Sequence, residues 1–249
     1  MIVIWCAAGL GLSSMLGSAC GLVFRRIPHK WNDIFLGFCA GMMLTASLAC
    51  LIMPGMEATS GWGVWQVVAG VGGGVLLVGV LDYFTPHLHN ITGIDPEQHH
   101  GPTAINKVLL FVMAIAIHKL PEGMATGIAL DETNPGNSMA ITLAIALQNI
   151  PEGMVVVTPL IVIGVKFLRV LGVAAAVALL EIVGVFAGYF LGNISEVLLP
   201  TLLGLAGGAM LYVISDEMIP ETHSHGFQKE ATYALIAGVV IMLIIQKFA

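Results

Sequence analysis

Eight stretches of mostly apolar residues punctuate the 249-residue chain, at 1–24, 32–53, 63–84, 104–130, 137–163, 169–191, 198–219 and 231–248. Seven exceed the roughly 20 residues that carry a helix across a bilayer, and the last falls just short of that length but within the range that spans. The polar connections between them are mostly short, as in "KFLR" at 166–169 and "LGNISEV" at 191–197, and no linker or low-complexity tract divides the chain. The pattern predicts an all-α integral membrane protein in one domain, 1–249, built as an eight-helix bundle. The first stretch lacks the positive n-region of a signal peptide and runs past the usual length of its apolar core. It is read as a retained span.

Two polar figures interrupt this pattern where lipid should be: "HKLPEG" at 118–123 in the fourth span and "QNIPEG" at 148–153 in the fifth. Residues four apart share a helix face, so His118 and Glu122 project together, as do Gln148 and Glu152. Pro121 and Pro151 give no N–H to the carbonyl four residues back, and each is expected to open its turn. Gly123 and Gly153 are expected to loosen the same turns. A third acid, Glu181, stands among apolar neighbours in the sixth span.

A carboxylate at mid-bilayer costs about 2.5–3.5 kcal/mol on insertion scales, so such groups face a bundle interior and have partners. One carboxylate pair with Lys119 would suit a structural lock between helices. The duplication favours a cation site instead. Imidazole, amide and carboxylate donors suit a divalent transition metal such as Zn2+, and Cd2+, Fe2+ and Mn2+ accept the same atoms. Glu122, Glu152 and Glu181 set against Lys119 leave two formal negative charges if all face one cavity, which one divalent ion neutralises. Lys119 is expected to pair with Glu181 or Glu152 and to fill space that a second metal would need.

Composition narrows the function classes. The chain is 57% apolar and 10% charged, with mean hydropathy +0.94, so its partner is the lipid bilayer. A net charge of −6 offers no basic surface for nucleic acid. Cys6, Cys20, Cys39 and Cys50 lie in the first two spans and form neither a CxxC knuckle nor a disulfide framework. Arg25, Arg26, Lys30, Lys107, Lys166, Arg169 and Lys229 all fall in alternate connections. Cations near span ends stay cytoplasmic, so both termini are expected outside the cytoplasm, in a plasma (inner) membrane protein. The third connection, about 85–103, carries His99 and His100, and the seventh carries His223 and His225. These four are candidate cytoplasmic relays for a metal.

The alternative from another class is an intramembrane zinc-dependent hydrolase. Its HExxH arrangement, two histidines and a base on one helix, is absent, because the spans hold a single histidine. The chain reads as a transporter with no catalytic cofactor, its metal being cargo.

The paired figures, the eight-span layout and the histidine-bearing third connection resemble the ZIP (Zrt-, Irt-like) family of divalent metal transporters. "VISDEMIPETHSHG" at 213–226 resembles its GufA-type branch. The resemblance implies a bundle with inverted pseudo-symmetry, a homodimer, Zn2+ uptake toward the cytoplasm, and a transport site between spans four and five. It also implies primary ligands at His118, Glu122, Gln148 and Glu152, with Met43 of "GMMLTAS" as a thioether ligand and Met42 as its neighbouring alternative. Asn149, Glu122, Glu152 and Glu181 match a second metal position in that family. Lys119 stands where two-metal members carry an asparagine ligand. An ammonium is a donor only and repels a cation, so this departure from the family pattern disfavours a second metal.

Overall fold

Leucines, alanines and glycines with few charges make the first span a continuous helix, α1 (Ile2–Phe24), that buries Ser13, Ser14 and Gly17 on one side. The computed structural model describes residues 2–24, 28–84, 119–130, 135–162, 164–192 and 197–248, and all regular structure among them is helical. The second span runs as α2 (His29–Thr45), a π-helical turn (Ala46–Ile52) and α3 (Met53–Glu57). It is followed by α4 (Val64–Phe84). The helix α5 covers residues 119–128, and α6 (Pro135–Val162) and α7 (Phe167–Gly192) follow. The seventh span repeats the design of the second: α8 (Leu199–Val213), a π-helical turn (Ile214–Met218) and α9 (Ile219–Thr222). The last is α10 (Gln228–Phe248). Seven of these helical stretches are long and apolar enough to cross a membrane. The fourth span is described only from Lys119 onward.

The sequence does not place the helix irregularities that the structure shows. α6 passes through Pro151 as unbroken α-helix, and the turn before Pro121 lies outside the described residues. The π-helical turns lie instead before Pro54 and Pro220. The carbonyl that a proline ring meets is four residues back, which here is Cys50 or Asp216. Each lies inside its π turn, where the wider ring makes room for the clash.

Small residues pair the helices. Gly17 and Gly21 of α1 abut Ile150 and Met154 of α6, and Gly37 and Gly41 of α2 abut Ala231 and Leu235 of α10. Gly70 and Gly74 of α4 meet Thr201 and Leu205 of α8, and Gly123 and Gly127 of α5 meet Glu181 and Val185 of α7. In every case both residue numbers rise together, so the paired helices run parallel. Lipid gives no hydrophobic drive between helices, and close backbone approach supplies the packing instead. Exchanging spans one with six, two with seven, three with eight and four with five turns each pairing into another of the set. The two π-helical turns and the two Pro-Glu-Gly figures exchange likewise. This is the inverted pseudo-symmetry expected from the family resemblance.

Candidate metal site

The fourth and fifth spans supply the chemistry, and glycines bring the first and sixth against it. The backbone of α5 touches that of α7 at Gly123 and Glu181, and Gly153 of α6 fits against Ser14, Gly17 and Ser18 of α1. These glycines therefore do not loosen the Pro-Glu-Gly turns. They seat them against neighbouring backbone, a space that a Cβ would fill. The glutamate beside each glycine turns to the interior: Glu122, Gln148, Asn149, Glu152, Glu181 and Lys119 are all buried, none more than 7% exposed.

Lys119 lies at the centre. Its Nζ donates to Glu122 Oε2 at 2.5 Å, Asn149 Oδ1 at 2.5 Å and Glu152 Oε2 at 2.7 Å. Gln148 Nε2 donates to the other oxygen of Glu122. Asn149 Nδ2 in turn donates to Glu181 Oε1 at 2.6 Å and to Ser13 Oγ at 3.2 Å. Ser14 Oγ donates to Glu181 Oε2 at 2.5 Å. The asparagine amide is thereby oriented, its oxygen to the ammonium and its nitrogen to a carboxylate. One connected network holds three carboxylates and one ammonium, so the groups whose formal charges leave a remainder of two do face one another. Buried charges persist only when paired and hydrogen-bonded in this way.

The lysine's partners differ in part from those expected. Glu152 is one, Glu122 is the other, and Glu181 is reached through Asn149. Ser13 and Ser14 escape sequence reading, because serine in a membrane helix is common and only the position of α7 shows what these two face. Cys39 is also new to the site: its thiol donates to the Gln148 carbonyl at 3.4 Å. That contact separates the two methionines. Met43 follows Cys39 by one turn on the face toward α6, whereas the Met42 backbone lies against Gly238 of α10. Both methionines are buried.

His118, His99 and His100 lie outside the described residues, as does the connection at 85–103. His223 and His225 sit between α9 and α10, remote in sequence from the network. His223 Nδ1 is 2.8 Å from the Ile219 carbonyl. His225 Nδ1 is 3.0 Å from Oδ1 of the fully buried Asp33, and its ring stacks on His29 with centroids 4.5 Å apart. Among the described residues no three His, Cys, Asp or Glu side chains are gathered around an empty point suited to a metal. The centre of the network is occupied by Lys119 Nζ. A cavity of about 340 Å³ between the end of the second span and α10 is lined by Cys50, Met53, Glu57 and Gln246. It shares no residue with the network.

The family model described as ZIP Zinc transporter matches residues 95–246. The zinc transporter ZIPB of Bordetella bronchiseptica is 41% identical over 252 residues, covering 95% of this chain and 77% of that protein. The zinc transporter GufA of Myxococcus xanthus is 37% identical over 250 residues, covering 96% of this chain and 97% of that one. The zinc transporter ZupT of Corynebacterium glutamicum is 32% identical, with 94% of each chain covered.

Proposed function

The chain belongs to the ZIP zinc transporter family, and from that premise we propose that it carries Zn2+ toward the cytoplasm through a site between α5 and α6. The family is one of transporters rather than enzymes, so the hydrolase alternative is set aside. One observation carries the site: Glu122 and Glu152 converge from two helices on one buried ammonium, Lys119, and Gln148 lies on the other oxygen of Glu122. A metal there would exchange its water for the carboxylates of Glu122 and Glu152, the amide oxygen of Gln148 and the imidazole of His118, with Met43 approaching from α2. These oxygen and nitrogen donors suit zinc, and a thioether would raise the preference for Cd2+ over Fe2+ and Mn2+.

Charge supports one ion rather than two. Three carboxylates and the ammonium leave two formal negative charges, which one divalent ion cancels. Asn149 and Glu181 stand at the second metal position, and Lys119 opposes a second cation beside them. Release follows when the helices carrying the ligands change their exposure, and His99, His100, His223 and His225 are positioned in sequence to receive the ion. This direction requires the first, third, fifth and seventh connections to be cytoplasmic, with both termini outside, in the plasma membrane. Two contacts at one end of the bundle support the shared side of the first and seventh connections: Lys30 with Glu230 at 3.0 Å, and Asp33 with His225. The family resemblance adds a homodimer to this reading.

The deciding experiment is Zn2+ uptake into proteoliposomes, with Cd2+, Fe2+ and Mn2+ as competitors and Glu152→Ala as the site variant. Zinc-dependent uptake that Glu152→Ala abolishes, at normal reconstitution, is the expected result. Undiminished uptake in that variant would remove this site from the mechanism.

A further inference from the structure

We propose that Lys119 is a specificity-determining residue: from the second-metal position it holds one oxygen each of Glu122 and Glu152, so each carboxylate offers the transported ion only its other oxygen. The inference rests on the carrier reading above and deepens it, from which residues bind to which ions they admit.

The lysine divides each carboxylate in two. Its Nζ takes Oε2 of Glu122 at 2.5 Å and Oε2 of Glu152 at 2.7 Å, and its third partner is Oδ1 of Asn149, a residue of the second position. The other oxygen of Glu122 lies against Gln148, a proposed ligand of the transported ion. One oxygen of that glutamate thus serves the ammonium, and the other is left for the metal.

The ammonium is firmly held. It has three hydrogens and no acceptor, each hydrogen has an oxygen partner, and the lysine is 2% exposed. Asn149 is fixed in turn by Glu181 Oε1 at 2.6 Å and Ser13 Oγ at 3.2 Å, and Glu181 by Ser14 Oγ at 2.5 Å. The contacts end on α1, whose Gly17 is seated on the α6 backbone at Asn149 and Ile150. Lys119 is therefore a resident cation, kept in place when the transported ion arrives.

Coordination number then separates the ions. One oxygen from each glutamate, the Gln148 amide oxygen and the His118 imidazole supply about four donors, the number that zinc prefers. Mn2+ favours about six oxygen ligands, and Ca2+ takes about six to eight, often using both oxygens of a carboxylate. To gain those extra donors, either ion must share Oε2 of Glu122 or Glu152 with the ammonium, which repels it. An ammonium acting through charge alone would weaken all divalent ions alike. Division of the carboxylates weakens those that need both oxygens.

The test is competition between Mn2+ and Zn2+ for the purified full chain. Lys119→Leu with Glu181→Gln removes the ammonium, places no ligand at 119 and keeps two formal negative charges in the network. It is expected to raise the Mn2+ to Zn2+ affinity ratio about tenfold. That is the order of the penalty lifted when a doubly charged ion moves from about 6 Å to about 5 Å of an ammonium, at an effective dielectric constant of about 20. An unchanged or lower ratio would overturn the inference. Should the variant not fold, the wild type gives the answer in the infrared difference spectrum between Zn2+-loaded and metal-free protein. The gap between antisymmetric and symmetric carboxylate stretches is expected to be wide, as for ligation through one oxygen. The narrow gap of ligation through two would overturn the inference. Failure of the underlying reading looks different, since Glu152→Ala would then keep both zinc binding and uptake.

Discussion

Glu122 of α5 and Glu152 of α6, thirty residues apart, accept hydrogen bonds from the same nitrogen, Lys119 Nζ, at 2.5 and 2.7 Å. Removing one partner of a buried ion pair costs about 3–5 kcal/mol, whereas replacing the whole pair by apolar groups of similar size is often neutral. Glu152→Ala is therefore expected to lower the thermal unfolding temperature in detergent as well as to abolish uptake. Because the ammonium is shared, the triple variant Lys119→Met, Glu122→Met and Glu152→Met, which removes every charge of the triad, is expected to regain most of the stability and none of the transport. Stability and uptake measured on the same preparations separate the structural and transport roles of the pair.

Gly153 is set against Ser14, Gly17 and Ser18 of α1, with a built Cβ 2.8 Å from backbone oxygen and nitrogen there. Backbone cannot move aside as a side chain can. Gly153→Ala should push α6 away from α1, parting Asn149 from Ser13 and moving Glu152 off its partner. Zinc uptake is expected to fall about a hundredfold, in keeping with the sensitivity of positioned groups to a displacement of about 1 Å. Gly172→Ala, where a Cβ meets nothing within 4 Å, should leave uptake unchanged.

Much of this was legible in the chain before any coordinates. Apolar run lengths gave seven described spans within a few residues, and the repeated Pro-Glu-Gly figure located Glu122 and Glu152. Proline position did not reveal which helices widen: Pro121 and Pro151 look like breaks, and the π-helical turns stand before Pro54 and Pro220. The difference is one of tertiary context, because the lost hydrogen bond is the same at all four prolines. Nor could spacing along one helix show that Ser13, Ser14 and Cys39 touch the network, since those contacts arise between helices. For the same reason the sequence offers Glu181 and Glu152 alike as partners of Lys119, which touches Glu152 and reaches Glu181 only through Asn149.

Met43 and Met42 are separable by selectivity. Met43 follows Cys39 by one turn on the α6-facing side of α2, and the Met42 backbone lies against Gly238 of α10. A thioether donor favours soft ions, so Met43→Ala is expected to reduce the Cd2+ to Zn2+ uptake ratio by about tenfold, the effect of roughly 1.4 kcal/mol. Met42→Ala should alter the ratio little. Competition uptake with paired isotopes reads both.

Metal stoichiometry tests the charge balance directly. Lys119→Asn replaces the opposing ammonium by an amide that can ligate, beside Asn149 and Glu181. The wild type is expected to bind one Zn2+ per chain and the variant two, by elemental analysis after dialysis. Unchanged stoichiometry and transport would show that Lys119 does not limit metal number.

His223 and His225 look alike in sequence but not in place. His225 holds Oδ1 of Asp33, which is fully buried and whose Oδ2 has no hydrogen-bond partner among the described residues. His223 is exposed and tied to its own turn through the Ile219 carbonyl. Truncating His225 would strip the buried carboxylate of its hydrogen-bonded partner, at a cost of order 1–3 kcal/mol or more. His223→Ala should stay within about 0.5 kcal/mol of the wild type, as surface substitutions do. His225→Ala is expected to destabilise the protein, and Asp33→Leu in the same chain to restore part of the loss. If both histidines also pass zinc onward, each single variant lowers uptake, and the stability-restored double variant stays slow. Thermal unfolding and uptake measured together therefore distinguish a relay from an anchor.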